Sequence, residues 1–223
     1  MKKVFLLLSA FSIVAISSCS DDDSPGTPAD TSSDILVKRM VYDRDDDHYF
    51  EIDYTYDGNK LVQGVFDDGV IEKYYYEGDL INKVEYINAG EVEERFFFTY
   101  NTDGKLIEYH SQHLSDGEWY DSENYTYVYN NDNTITKHYG FNAFSTLHIE
   151  NGEIAQKVHS DGTTYTYTYD NKNSPFKNVT GYAEIAEAFS GDHELEGRSR
   201  NIVSIINETH DQNYTMTTFQ YNA

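Results

Sequence analysis

The chain lacks the residues that would cross-link it or give it a positive surface. Its 223 residues include one cysteine, three prolines, and 16 lysine and arginine residues against 39 aspartate and glutamate residues. A single cysteine excludes internal disulfides and cysteine-based zinc sites. The net charge of −23 repels phosphate backbones, which excludes nucleic acid as a partner. Only 39% of the residues are hydrophobic, which excludes a protein with several membrane-spanning segments.

Aromatic residues are abundant instead, with 21 tyrosines and 12 phenylalanines. Strong acidity often signals disorder, but disordered segments are poor in aromatic residues. We therefore expect a folded body, and the length of the chain fits a single domain.

The first 18 residues are typical of a signal peptide. Two lysines precede the apolar run from 4 to 16, which is shorter than the roughly 20 residues that cross a bilayer. Ser17-Ser18-Cys19 then resembles the bacterial lipobox, which implies cleavage before Cys19 and lipidation of its thiol. The alternative is an ordinary signal peptide with a chance cysteine. We predict a signal peptide at 1–18 and contact with the membrane only through the lipid anchor.

Residues 19–34 form a predicted acidic tether. The segment holds two of the three prolines and no large apolar residue between 20 and 33, so it cannot bury enough surface to fold. The triplet Asp21-Asp22-Asp23 resembles the surface-export signal of lipoproteins from Bacteroidota, which implies an outer-membrane lipoprotein exposed on the cell surface. A plain acidic spacer on a periplasm-facing lipoprotein is the alternative.

A repeated hairpin pattern fills the body of the chain. Each copy has an aromatic or apolar residue, any residue, a second aromatic or apolar residue and then a polar turn, with the second position at 56, 76, 100, 129, 149 and 169. Glycine-containing turns lie between copies, and alternating residues mark each strand. The pattern predicts an all-β fold: an antiparallel meander of about 12–14 strands in β-hairpin repeats, curled or two-layered. We expect one domain at 35–221, with repeats over 35–176.

The repeat resembles the tyrosine-aspartate (YD) repeats of the Rhs family, whose pattern is Tyr-x-Tyr-Asp-x-x-Gly-x-Leu. The stretch 98–106 follows it with Phe98 for the first Tyr and Asn101 for the Asp, and 54–61 matches with one residue fewer. The layout looks still more like a family of Bacteroidota surface lipoproteins built of such hairpins. Rhs shells enclose a toxin, but this chain has too few repeats to do so, and that function is not carried over.

The hairpin pattern stops after Pro175. Apolar residues at 182, 185, 186 and 189 have the spacing of an amphipathic helix, so we predict one short helix at 182–189. A last hairpin is predicted from strands at 202–209 and 214–221. Helix and hairpin together make up the segment 177–221.

Two candidate sites are open to chemical interpretation. Asp43, Asp45 and Asp47 have the spacing of the first three calcium ligands of an EF-hand loop, which makes Ca²⁺ the one cofactor candidate. However, His48 occupies the glycine position and Tyr54 the glutamate position of that loop, so a charged hairpin turn is the alternative.

The second candidate is a set of aromatic residues near turns. Trp119, Tyr120 and Tyr139 would stack against sugar rings if they are exposed. The alternative is a tyrosine-rich core, in which rings pack together and hydroxyls reach the rim. This alternative is favoured for the tyrosines within the repeats, such as Tyr54, Tyr76, Tyr127 and Tyr167.

Two functions follow from these expectations. No hydrolase, zinc-protease or phosphate-loop motif occurs, so we expect no enzymatic activity. The first function is a non-catalytic binding or structural module on the cell surface, with a surface protein or glycan as its unknown partner. The second is a glycan-capture lipoprotein that uses aromatic residues and Ca²⁺. A monomer is expected in both cases.

Overall fold

Fourteen antiparallel strands form one sheet in the computed structural model, which describes residues 35–43, 49–140, 142–189, 197–209 and 212–215. Each strand pairs with its neighbours in the chain, so the order is that of a simple meander. The strands are β1 (Arg39–Asp43), β2 (Tyr49–Asp57), β3 (Lys60–Phe66), β4 (Ile71–Glu77), β5 (Leu80–Asn88), β6 (Glu91–Tyr100), β7 (Leu106–Ser115), β8 (Glu118–Tyr129), β9 (Thr134–His138), β10 (Phe144–Glu150), β11 (Glu153–His159), β12 (Thr164–Asn173), β13 (Arg200–Asn207) and β14 (Gln212–Thr215).

The predicted fold class is confirmed. The described part of the chain is an antiparallel meander with one short helix, α1 (Tyr182–Ile185), and the sheet is open because none of its pairings joins β1 to β14. The helix is shorter than the predicted 182–189. Its last turn tightens where Ala188 N–H donates to Ile185 O, and the chain continues as turns. The last predicted hairpin is present as β13 and β14, each of which begins two residues earlier than predicted, and residues 216–221 lie outside the described ranges.

In five of the six repeats the second aromatic or apolar position is a tyrosine, and its hydroxyl bonds to the backbone of an earlier segment of the chain. Tyr100 donates its hydroxyl hydrogen to Ile81 O at 2.6 Å, and Tyr129 donates to Leu106 O at 3.1 Å. Tyr56 and Tyr169 donate in the same way to Val37 O and Ile154 O, whereas the Tyr76 hydroxyl oxygen accepts a hydrogen bond from Leu61 N–H at 3.0 Å. The 149 position carries isoleucine, which has no hydroxyl group. These tyrosines therefore hold successive hairpins in register.

A β-bulge in one hairpin explains why the next repeat needs a tyrosine at its second aromatic or apolar position. The strand register shifts just before the second aromatic or apolar residue in five hairpins, at 55/56, 75/76, 99/100, 148/149 and 168/169. A bulge leaves an extra residue outside the regular hydrogen-bond ladder. A buried backbone group there needs another partner, and the tyrosine hydroxyl of the next repeat supplies one.

Replacing Tyr100 by Phe should lower the free energy of unfolding by about 1 kcal/mol, because Ile81 O loses its partner while the ring stays in place. The matched control is Tyr120→Phe, at a side chain that is 46% exposed, where the change should stay within about 0.5 kcal/mol. Urea unfolding followed by circular dichroism measures both. Equal losses in the two variants would show that the hydroxyl does not hold the register.

The sheet curls around a segment that returns across one of its faces, called here the inner face. In residues 174–189, Phe176 packs edge-on against Tyr54 of β2 at 5.2 Å between ring centroids, while Glu187 lies 3.7 Å from Lys157 Nζ of β11. The two contacts involve strands that are nine positions apart in the sheet order, so the twelve residues 176–187 reach side chains of both β2 and β11. This is the arrangement expected of a sheet that curls, as large twisted sheets commonly do.

The returning segment completes the core. Phe176, Tyr182, Ile185 and Phe189 are at most 2% exposed and pack against apolar side chains of the inner face. Gly181 has φ +78°, and a Cβ there would lie 2.7 Å from Asp79 O. Only glycine allows this close approach to the β4–β5 turn.

A buried carboxylate holds the chain just before it enters β13. Glu153, which is 1% exposed, accepts hydrogen bonds from the backbone N–H groups of residues 198, 199 and 200 and from the Ser199 hydroxyl, at 2.6–2.9 Å. Charge-assisted bonds of this kind are roughly twice as strong as neutral ones. They position the chain for entry into β13.

Candidate functional site

A continuous row of aromatic side chains, called here the aromatic belt, crosses the inner face from β2 to β12. Neighbouring ring centroids lie 5.1–6.4 Å apart. The members in spatial order are Phe50, Phe66, Tyr86, Phe96, Tyr109, Tyr125, Tyr139, His159 and Tyr165. All except Tyr109 are partly exposed. The belt therefore offers ring surface to solvent along much of the sheet.

Two strands contribute a polar residue to the belt instead of a ring. On β4, Glu72 lies opposite Tyr86 and accepts its hydroxyl hydrogen at 3.1 Å. On β10, Ser145 lies opposite His159, and its Oγ is 2.9 Å from both His159 Nδ1 and the Tyr139 hydroxyl. Ser145 is fully buried, so it orients these rings and is closed to a substrate. Burial and the charge of Lys157 lower the pKa of His159, which keeps its ring neutral at pH 7.

A buried lysine and a partly exposed one lie beside the β8–β12 end of the belt. Lys137 Nζ donates to Glu187 Oε1 at 3.0 Å, and Lys157 Nζ is 3.7 Å from the same oxygen. Tyr127 donates its hydroxyl hydrogen to the other oxygen of Glu187 at 2.9 Å. We call these four residues, Lys137, Lys157, Glu187 and Tyr127, the lysine cluster.

Burial and charge act differently on the two lysines. Lys137 is 5% exposed, and desolvation lowers its pKa despite the nearby Glu187 carboxylate. Desolvation also acts on Lys157, but Glu187 and a hydrogen bond with Tyr139 outweigh it and raise the pKa. Lys157 keeps 20% of its side-chain exposure, so it is the more accessible cation.

The lysine cluster and the belt are in direct contact. Lys137 Nζ lies 4.1 Å from the Tyr125 ring centroid and 5.3 Å from that of Tyr139. Lys157 Nζ lies 5.8 Å from the Tyr139 centroid. Such cation–π contacts hold the ammonium groups close to the rings. This end of the belt therefore combines ring faces, hydroxyl groups and cations.

The three aromatic residues predicted from the sequence do not line one surface. Trp119 and Tyr120 are consecutive on β8 and therefore face opposite sides of the sheet. The Trp119 ring is covered by the Arg95 guanidinium at 3.8 Å, whereas Tyr120 is 46% exposed and stacks with His113. Tyr139 is a member of the aromatic belt. Ligand binding by these residues stays a prediction.

The calcium prediction falls mostly outside the described residues. Asp45 and Asp47 lie outside them, as do the signal peptide and the whole tether at 19–34 with Cys19, while Asp43 ends β1. Among the described residues, no three histidine, cysteine, aspartate or glutamate side chains group as a metal site would require. Calcium binding and lipidation therefore stay predictions.

A small cavity lies between α1 and the sheet, next to Glu187. Its volume is about 30 Å³, and it is lined mainly by Leu106, Ile135, Leu147 and Ala183. This is enough for one or two water molecules but not for a sugar ring. The larger accessible surface on this side is the aromatic belt.

Sequence reasoning missed the belt and the lysine cluster, although one signal was present. In the alternating strand from 135 to 139, Lys137 occupies a position between Ile135 and Tyr139 on the same face. A lysine at an inward position is unusual, because a buried ammonium needs a partner. That partner, Glu187, lies 50 residues away in the chain.

No protein-family model and no curated protein matches this chain. Among solved structures, it is similar to a porin-like protein from Bacteroides uniformis at 16% sequence identity, with a TM-score of 0.43 over 79% of this chain and 80% of that one. Similarity at this level carries no argument about function. The resemblance to YD repeats rests on the motif itself. In the described ranges, the helical segment is well short of what a membrane crossing requires.

Proposed function

We propose that this chain is a lipid-anchored cell-surface protein that acts as a non-catalytic binding module, with its ligand along the aromatic belt. The partial exposure of eight neighbouring rings carries the proposal. Covering the rest of each ring would contribute about 25 cal/mol per Å² of apolar surface. Anchoring is proposed through Cys19, with residues 20–34 as the tether.

The belt has two regions with different surroundings. Near β5 and β6, Tyr86 and Phe96 pack against Phe189 of the returning segment, with centroids 6.4 and 5.2 Å apart. Near β8 to β12, the neighbours are hydroxyl groups, an imidazole and two ammonium groups. The second region has the mixture of apolar surface and a few convergent polar groups that is typical of small-ligand sites.

Replacing Tyr139 by Leu should weaken ligand binding at least about tenfold, because stacking surface and a hydroxyl are lost together. The matched control is Tyr75→Leu, a partly exposed tyrosine on the opposite face of the sheet. Detergent-solubilised full-length protein would first be screened on an array of glycans and surface polysaccharides. Both variants would then be titrated with each hit.

Hits that lose affinity in the Tyr139 variant and keep it in the Tyr75 variant would support the proposal. Equal effects in both variants would contradict binding on the belt. An array without hits would favour a structural role, in which the rings act only through cross-strand packing.

A further inference from the structure

We infer that the β8–β12 end of the belt binds a sugar that carries a carboxylate, with the sugar ring on Tyr139 and the carboxylate at Lys157. This inference rests on the proposed function. The charges at this end motivate the inference. Lys137 and Lys157 both approach a single oxygen of Glu187, so one carboxylate faces two ammonium groups. A second anion is the expected complement of such an arrangement.

Two further carboxylates act on this region, Asp161 next to His159 and Glu123 next to Lys137. Glu123 accepts the hydroxyl hydrogen of Tyr109 at 3.2 Å and lies on β8, next to the strand that carries Lys137. Its side chain is exposed, so water screens its effect more than that of the buried Glu187. Lys137 is buried and Lys157 keeps only 20% of its side-chain exposure, so water screens their interaction with an approaching anion less.

Accessibility selects Lys157 as the contact and Lys137 as the supporting residue. Lys157 keeps 20% exposure against 5% for Lys137. Lys137 is held by Glu187 and by the Tyr125 ring, which leaves it behind the surface. A ligand carboxylate would reach Lys157 from the solvent side without displacing Glu187.

The neighbouring groups favour a sugar ring. Tyr125 and Tyr139 meet edge to face with centroids 5.3 Å apart, so they present two differently oriented ring surfaces. The partly exposed Tyr139 and His159 lie at the same place, where the buried Ser145 hydroxyl bonds to both and fixes their orientation. Stacking surface next to donors and acceptors suits a ring with an apolar face and equatorial hydroxyl groups.

The test compares an acidic and a neutral sugar of the same length. Full-length protein in detergent is titrated calorimetrically with trigalacturonate and with galactotriose. The acidic trimer should bind about tenfold more tightly, since a hydrogen bond to a charged group is stronger than one between neutral groups. Lys157→Met keeps the length of the side chain and should abolish this preference. Lys73→Met, at a lysine over the Tyr75 ring on the outer face, should leave it unchanged.

Each result decides between distinct conclusions. Equal affinity for both trimers would overturn the acidic-sugar inference and leave the proposed function intact. If neither trimer binds, the inference is overturned even if other array hits uphold the proposed function. A glutamate tripeptide that binds as tightly as trigalacturonate would overturn the assignment of a sugar. If Lys157→Met fails to fold, two other variants test the inference. Lys157→Arg should keep the preference for the acidic trimer, and Tyr139→Leu should weaken the binding of both trimers. Loss of the preference in the first variant, or unchanged affinities in the second, contradicts the inference.

Discussion

Raising the pH above 10 is expected to unfold this protein within about one pH unit, because its buried tyrosines must stay protonated in the folded state. Burial is the largest cause of a raised pKa at ten tyrosines. They are Tyr74, Tyr75, Tyr76, Tyr100, Tyr109, Tyr125, Tyr127, Tyr129, Tyr167 and Tyr169. The pKa is raised to about 12 at Tyr76, for example.

The direction of the effect follows from proton binding. A folded-state pKa above the unfolded value of about 10 means that the folded state holds the proton more tightly. The resulting stability is complete below pH 10 and is lost as the pH rises through the folded-state values. Counting only six of these tyrosines, the loss reaches about 8 kcal/mol at pH 11. That is comparable to the whole stability of a typical domain, about 5–15 kcal/mol.

The measurement follows tyrosinate absorbance and far-ultraviolet circular dichroism during the same alkaline titration. A steep rise in absorbance should coincide with the loss of the β signal, because the ten tyrosines with a raised pKa ionise mainly on unfolding. Absorbance that rises gradually with a midpoint near pH 10, while the β signal persists, would show that the tyrosines are accessible in the folded protein.

Replacing Phe189 by Ala should lower the free energy of unfolding by about 3–5 kcal/mol. The side chain is 1% exposed, and its ring meets those of Tyr74, Phe96 and Phe98 at centroid distances of 5.2–6.4 Å. Removing it leaves a cavity where the returning segment meets the middle of the sheet. With Tyr86 of β5, which lies 6.4 Å from Phe189, the surrounding rings belong to β4, β5 and β6 and cannot all move in to fill the space.

The control for this substitution is Phe144→Ala, at a phenylalanine that is 40% exposed on β10. It should cost less than about 1 kcal/mol, since little of its surface is buried. Urea unfolding of both variants at neutral pH measures the difference. A Phe189 variant that is as stable as the Phe144 variant would mean that the returning segment contributes little to the core.

The strands could be predicted because their causes are local. Alternation at residues 50–56 assigns one set of side chains to each face, and the turn residues that follow allow a tight hairpin. The same pattern predicted α1 four residues too long. Its apolar spacing is also satisfied by the turns at 186–188, which place Ala188 and Phe189 in the core without further helix.

The sequence by itself determined the number and order of the hairpins and the positions of the repeat tyrosines. Only the tertiary structure decided what those tyrosines do, since Tyr100 bonds to a residue 19 positions earlier through a neighbouring hairpin. It also decided the candidate site. Lys137 and Glu187 meet because the sheet curls and the chain returns across its inner face. Periodicity describes contacts within one or two strands, whereas curvature arises from packing across the whole sheet, which no local pattern encodes.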